Sequence, residues 1–293
     1  IILDDCSSDN SRQAIETYRG HEKISHIIYN ERNSGSPFLQ WKKGIELAKS
    51  DWIWIAESDD FADPSFLQEA ALAISNHPAT GIFYSDSFVV NEAGEKIDER
   101  FSLRKNNIFH TEKWSHDYFT EGIHEINQYL KFDCTINNIS SLVFRKDLFA
   151  PGKNMLDGFR YYGDWFFLLK AAMGSPVCYS HQPLNYYRKH GSSHLNSETS
   201  VITSRQEYFN ILQLLYHHEK ITGKKNLLDH FAYHYLSFGL NADGWSKGRQ
   251  ILRYYLKTDK NLAWKVIRRI AAIKLFRQKR PFFVPGPESK PVN

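Results

Sequence analysis

Short apolar runs alternate with helically spaced apolar positions through the first third of the chain. Ile1 to Leu3 reads as a buried strand that stops at Asp4-Asp5. Ser11 to Tyr18 has helical spacing, with Asp9 or Asn10 as its N-cap. His26 to Tyr29 is a second strand, and Asn33-Ser34-Gly35-Ser36-Pro37 carries the breaker chemistry of a loop. Phe38 to Ala48 is again helical. Trp52 to Ala56 is a third strand, ending at Glu57-Ser58-Asp59-Asp60, before a helix over Pro64 to Ser75 and a strand over Gly81 to Tyr84. Strands and helices alternating at these lengths predict βαβ units and a largely parallel sheet. Such sheets bind ligands beyond the carboxyl ends of their strands, where both acidic clusters fall.

Phe88 to Ile97 has the pattern of a hairpin turning at Asn91-Glu92-Ala93-Gly94. Residues 98–135 are polar, aromatic and aperiodic, which predicts a long functional loop. Ser140 to Phe144 returns to strand, and Asp164 to Ala172 to helix. From Val201 to Gln278 the spacing is almost wholly helical, so a boundary is expected near Asn196. The predicted division is an α/β domain over 1–195, a basic helical region over 196–280, and a Pro-rich disordered tail over 281–293.

A chain of 293 residues can bury a large core. Its formal net charge of +4 says little about partners, but the distribution says more. Trp245 to Arg280 holds twelve Lys or Arg against Asp259 alone, leaving the residues before it at about −7. Within that segment Ala263, Val266, Ile267, Ile270 and Ile273 share one helical face. The pattern suits an interfacial helix on an anionic membrane, or an ordinary helix packed on the domain with a solvated basic face. No nucleic-acid motif accompanies the charge, so nucleic acid is not an expected partner. No run reaches the ~18 apolar residues of a membrane span. Cys6, Cys134 and Cys178 are scattered, which reads as free buried thiols in a reducing compartment. The chain opens directly on strand-like residues without Met, and the expectation is that part of the natural protein lies upstream of Ile1.

Four segments carry candidate chemistry. Glu57 and Asp59, at i and i+2 of a strand end with Ser58 between them and Asp60 beside them, can converge on one Mn²⁺ or Mg²⁺ and on a ribose. A solvated turn capping the next helix would look the same. Asp4 and Asp5 can accept hydrogen bonds from a base or a ribose, while two Asp residues behind an apolar strand also suit a phosphoaspartate pocket. Asp164, opening a helix, is either a first-turn acid favoured by the helix dipole or a general base. Asn185 to Ser193 is an exposed basic loop or a diphosphate clamp, with Arg188 as the planar fork and His190 as a metal ligand. His230 and His234 lie at i and i+4 but lack the Glu of a zinc-protease helix, and read as core or surface histidines.

In this order the segments resemble glycosyltransferase family 2. The resemblance rests on Ile2-Leu3-Asp4-Asp5-Cys6-Ser7-Ser8-Asp9, Asn33-Ser34-Gly35, Gly44-Ile45 with Ala48, and Trp52 to Asp60 with Asp63-Pro64. Ser140 to Arg145, Gly163-Asp164-Trp165 and Tyr187-Arg188-Lys189-His190 complete the series, over roughly residues 1 to 195. It implies a GT-A fold, a Rossmann-like mixed sheet, mostly parallel, with flanking helices, followed here by the C-terminal helical region. It also implies inverting transfer from a nucleotide-diphosphate sugar, foremost a UDP-sugar, to a hydroxyl of a glycan or lipid-linked acceptor in surface polysaccharide synthesis. The enzyme would be of hexosyl or N-acetylhexosaminyl type. By the same resemblance Asp4 and Asp5 lie against base and ribose, Asp59 is the principal metal ligand, Asp164 is the base, and Arg188 and His190 sit near the diphosphate.

The sequence departs from the family in four places. Glu57 replaces the commoner Asp, and Gly163 stands where many members carry Glu. Trp41-Lys42 replaces an Arg-Asn pair, leaving Lys42 to reach a phosphate, and the family's first strand falls upstream of Ile1. Phe109, Trp114, Tyr118 and Phe119 would stack on a sugar or cover the core. The implied location is cytoplasmic, with peripheral contact at the inner face of the plasma membrane through 245–280. The rival readings are an aspartyl phosphotransfer protein and a non-catalytic glycan- or membrane-binding relative.

Overall fold

The computed structural model describes residues 1–136, 138–149, 155–189, 198–236 and 242–275. His190, the Asn196 boundary and the 281–293 tail lie outside the described residues.

The first half follows the predicted alternation: β1 (Ile2–Asp4), α1 (Ser11–Glu16), β2 (Ile27–Tyr29), α2 (Pro37–Leu47), β3 (Trp52–Trp54), β4 (Phe61–Ala62), α3 (Phe66–Asn76) and β5 (Ile82–Val90). Pro37 sits in the first turn of α2, where its missing N–H is no loss. Asn10 occupies the N-cap of α1 without a side-chain bond, and Asp9 accepts from the Ser11 N–H at 2.9 Å instead. β6 (Lys96–Arg100) returns antiparallel to β5. The turn lies where the sequence placed it, with the Asn91 N–H donating to the Glu95 carbonyl at 2.9 Å and Gly94 at φ 85°.

β1 and β2 form a parallel two-stranded sheet. A seven-stranded mixed sheet runs β3-β8-β5-β9-β4, where β8 is Leu142–Arg145 and β9 is Val177–Arg188, with β6 on β5 and β7 (Tyr118–Thr120) on β9. The parallel share is smaller than the alternation suggested. Within this sheet only β5–β9 is parallel among the described pairings. β6 pairs antiparallel because it follows β5 through a hairpin, whereas β7 and β8 come in after intervening helical segments and pair antiparallel with β9 and with β3 and β5.

β5 is buried at every position but Phe88, and its alternate side chains feed two cores. Phe83 packs with Phe66 and Ala70 of α3, Val143, Cys178 and Leu184. Ile82 and Tyr84 enter the larger cluster on the other face, with Trp41, Phe144 and Phe167. That cluster includes α6 (Gly163–Met173) and continues into the helical region, α7 (Glu198–His217), α8 (Lys224–Leu236), α9 (Ala242–Thr258) and α10 (Lys260–Leu275), through Phe209, Leu212, Phe231, Tyr255 and Val266.

Three expectations change. Residues 98–135 are not one long loop: they fold into α4 (Phe101–Phe109), a 3-10 turn, β7, α5 (Gly122–Glu125) and a π turn over Ile126–Leu130. Phe109 and Trp114 are fully buried, so they cover the core, whereas Phe119 is exposed and stacks on His77 at 4.5 Å. Second, the apolar face of α10 is already occupied. Ala263, Val266 and Ile273 are buried against the protein and Arg269 pairs with Asp229 of α8. Third, the free thiols are not all buried, since Cys6 is exposed.

Candidate active site

The Glu57–Asp60 turn leaves the carboxyl end of β3. One carboxylate oxygen from each of Glu57, Asp59 and Asp60 lies within 4.8 Å of the others, the one such group among the described residues. Ser58 is exposed between them. The turn is seated on a polar network. The Glu57 N–H donates to Ser140 Oγ at 3.0 Å, and the Ser140 N–H donates to Asn138 Oδ1 at 2.9 Å. Asn138 Nδ2 reaches the fully buried Asn185 at 2.8 Å, which also accepts from Ser87 at 3.0 Å. The sequence places Ser140 in a strand and in the family series, but gives neither it nor Asn138 a part in seating this turn. The polar run just before an apolar strand was the available signal.

Burial and three neighbouring carboxylates, Asp59, Asp60 and Asp164, push Glu57 up to about 8. Burial also raises Asp60, partly offset by the Arg188 N–H that donates to its Oδ1 at 2.9 Å. Three converging carboxylates, with Asp164 near enough to act on Glu57, form a site that a divalent cation would relieve, and an all-carboxylate donor set fits Mg²⁺ or Mn²⁺.

Asp164 opens α6, and its Oδ1 accepts from the Trp165 N–H at 2.7 Å. Burial lifts it to about 6. Gly163 has a steric reason: a Cβ there would sit 2.5–2.8 Å from the Phe38 ring. The ring fills the space that a side chain before Asp164 would need.

Asp4 and Asp5 form a second cluster. Asp5 is saturated, accepting from Asn30 Nδ2 at 2.6 Å, the Ser34 N–H at 3.0 Å, Ser34 Oγ at 2.7 Å and Gln40 Nε2 at 2.9 Å. These bonds hold it below the usual carboxylate range and fix the Asn33–Ser36 loop. A phosphoacceptor needs an open oxygen, which this environment does not give Asp5. Asp4 is nearly buried and accepts from the Ser7 N–H at 3.2 Å. Between them and Ser7, Cys6 takes a φ of 64°, a left-handed turn uncommon outside Gly. The cation beside Asp5 is Lys43, whose Nζ donates to Asn30 Oδ1 at 2.8 Å. Lys42 lies instead in a small cleft with Phe38, Phe149 and Asp157.

The Arg188 fork is committed to backbone. Its Nε donates to the Asp59 carbonyl at 2.8 Å and its Nη1 to the Asn91 and Glu92 carbonyls at 3.2 and 2.7 Å. It ties the β5–β6 turn to the acidic turn.

A model of glycosyl transferase family 2 matches residues 1–147. Among curated relatives, the poly(ribitol-phosphate) beta-N-acetylglucosaminyltransferase TarS of Staphylococcus aureus (strain Mu50 / ATCC 700699) is 32% identical over 79 residues, 26% of this chain. The putative teichuronic acid biosynthesis glycosyltransferase TuaG of Bacillus subtilis (strain 168) is 35% identical over 60 residues, 20% of this chain. The chain spans 13% of the length of TarS and 23% of that of TuaG in these matches. The crystal structure of S. aureus TarS 1-349 superposes with a TM-score of 0.61 at 16% identity, covering 94% of this chain and 81% of that one. Its complex with UDP-GlcNAc superposes at 0.59 with 16% identity over the same shares of the two chains. At this identity the likeness shows the fold, the GT-A architecture with a C-terminal helical region.

Proposed function

The chain belongs to glycosyl transferase family 2, and from that membership we propose that it transfers a sugar, with inversion, from a nucleotide-diphosphate donor to a hydroxyl of a surface glycan or lipid-linked acceptor. A UDP-sugar is the favoured donor, because the matching TarS structures were solved with UDP-GlcNAc and with UDP. The observation that carries the reading is the convergence of Glu57, Asp59 and Asp60 within 4.8 Å of one another, close enough to Asp164 to raise Glu57 electrostatically.

In this reading Asp59 and Asp60, with Glu57, hold Mn²⁺ or Mg²⁺, and the ion would stabilise, as a Lewis acid, the charge developing on the leaving diphosphate. Asp164 takes the proton from the acceptor hydroxyl as that oxygen bonds to the anomeric carbon and the carbon–phosphate oxygen bond breaks. A carboxyl titrating near 6 is ionised at neutral pH yet basic enough to help. Asp5 shapes the Asn33–Ser36 loop, and Asp4 is the carboxylate left to meet the nucleoside. Arg188 acts by fixing the acidic turn. Among the described residues no helix is long and apolar enough to cross a membrane. Contact with the cytoplasmic membrane face would therefore be electrostatic, through exposed Lys257, Lys260, Lys265 and Arg268.

The test is a thermal-shift series with nucleoside diphosphates, with and without Mn²⁺, beside Asp59→Asn. A ligand at a hundred times its dissociation constant adds about 2.7 kcal/mol. A shift that needs one nucleotide, Mn²⁺ and Asp59 is expected. A shift indifferent to Asp59 would remove the donor site from this turn.

A further inference from the structure

Asp164 also lines a cavity of about 760 Å³, within the ~300–1,000 Å³ usual for small-molecule sites. The helical region builds one wall. Tyr208 of α7 and His230 and His234 of α8 face Phe132, Asp133 and Trp165. The rings brace one another: Tyr208 lies 5.5 Å from Trp165 and 4.5 Å from His234, and His230 meets Phe132 edge-on at 5.6 Å. This wall of the pocket is therefore shaped by ring packing.

Its chemistry discriminates between ligands. Among the described residues that line it there is no Lys or Arg, whereas there are two carboxylates, Asp133 and Asp164. Burial raises both, and would raise them further beside an anion. Arg205 is buried behind His234, with Nη1 on that imidazole, and Arg104 acts on Asp133 from an exposed position. Among the described lining residues, a phosphate would thus meet two carboxylates and only imidazoles. A neutral sugar ring suits the lining better: its hydroxyls donate to Asp133 and Asp164, and its C–H faces lie on the aromatic rings. We infer that this cavity is the acceptor subsite, that it takes a neutral pyranose residue in place of a polyol phosphate, and that α7 and α8 set its specificity. The inference rests on the reading of Asp164 as the base. It assigns a purpose to the His230/His234 spacing, which the sequence left as core or surface histidines.

Saturation-transfer NMR on the intact chain tests it, with a panel of methyl glycopyranosides and with ribitol 5-phosphate as the anionic probe. UDP–Mn²⁺ binding is measured by calorimetry on the same samples. At least one glycoside should bind and ribitol phosphate should not. His230→Ala should weaken the glycoside at least tenfold, and Ile108→Trp, at an exposed lining position, should block it. UDP binding should stay within twofold in both variants. Binding of ribitol phosphate alone, or of no probe by a chain that still binds UDP, would overturn the inference. Glycoside binding lost in the variants but with no UDP binding by the wild type would uphold the pocket and refute the donor reading instead.

Discussion

Replacing Glu57 by Gln should make the metal-free protein more stable, by an amount that grows with pH. The Glu57 carboxyl titrates at about 8 in the folded chain against 4.5 when unperturbed. A folded value above the unfolded one means that stability is fully present below pH 4.5 and is lost as pH rises toward 8. Each pH unit between the two values is worth about 1.4 kcal/mol, so at pH 7 the loss is about 3 kcal/mol and above pH 8 it approaches about 5 kcal/mol. Gln keeps the shape and removes the charge that Asp59, Asp60 and Asp164 oppose. In EDTA, wild type and Glu57→Gln should melt within a degree or two of each other at pH 4.5. At pH 8 the variant should melt several degrees higher, at roughly 2–4 °C per kcal/mol. Mn²⁺ should reverse the order, because the ion relieves the repulsion in the wild type and finds one ligand fewer in the variant. A melting difference that is the same at both pH values, or an equal Mn²⁺ shift in both proteins, would refute the coupling among these four acids.

Asp164→Asn should abolish transfer and leave UDP–Mn²⁺ affinity within twofold. In the wild type the transfer rate should rise through pH 6 and level off, with Glu207, Glu57 and Tyr162 as the titratable neighbours. A pH profile flat from 5 to 8 would exclude Asp164 as the base. Gly163→Ala should destabilise by about 1–3 kcal/mol through overpacking against Phe38, read from denaturant midpoints, and Phe38→Leu in the same chain should recover part of the loss.

The strand ends that carry Asp4-Asp5 and Glu57–Asp60 were legible because each follows an apolar run and precedes a helix signal. The hairpin at Asn91–Gly94 was legible for the same local reason. β9 was not legible. Its segment contains exposed His181 and Gln182 and then Pro183, and it becomes a strand only by pairing with β5 from about a hundred residues away. Residues 98–135 misled in the opposite direction. Their buried rings meet several short elements from different sides, so no single period appears although Trp114 and Phe109 are core. Arg188 was visible as a cation, but its partners are backbone carbonyls, which leave no mark in a sequence. For α10 the period was correct; the pattern alone could not say whether the apolar face meets lipid or protein.

The order in which the chain is made adds a consequence to the shape of the cavity. Domains form from the N-terminal end during synthesis. The carboxylates of the Glu57–Asp60 turn and Asp164 all precede α7, whereas Tyr208, His230 and His234 come from α7 and α8. The acidic residues are therefore synthesised before the helices that close the cavity, and the backbone just before Asp164 gains its anchor, Glu207 of α7, only afterwards. A chain halted between α6 and α8 would leave Asp164 open to solvent, with water as the nearest hydroxyl. On the proposed reading such a product would pass the donor sugar to water, so transfer to an acceptor would depend on the last helices docking.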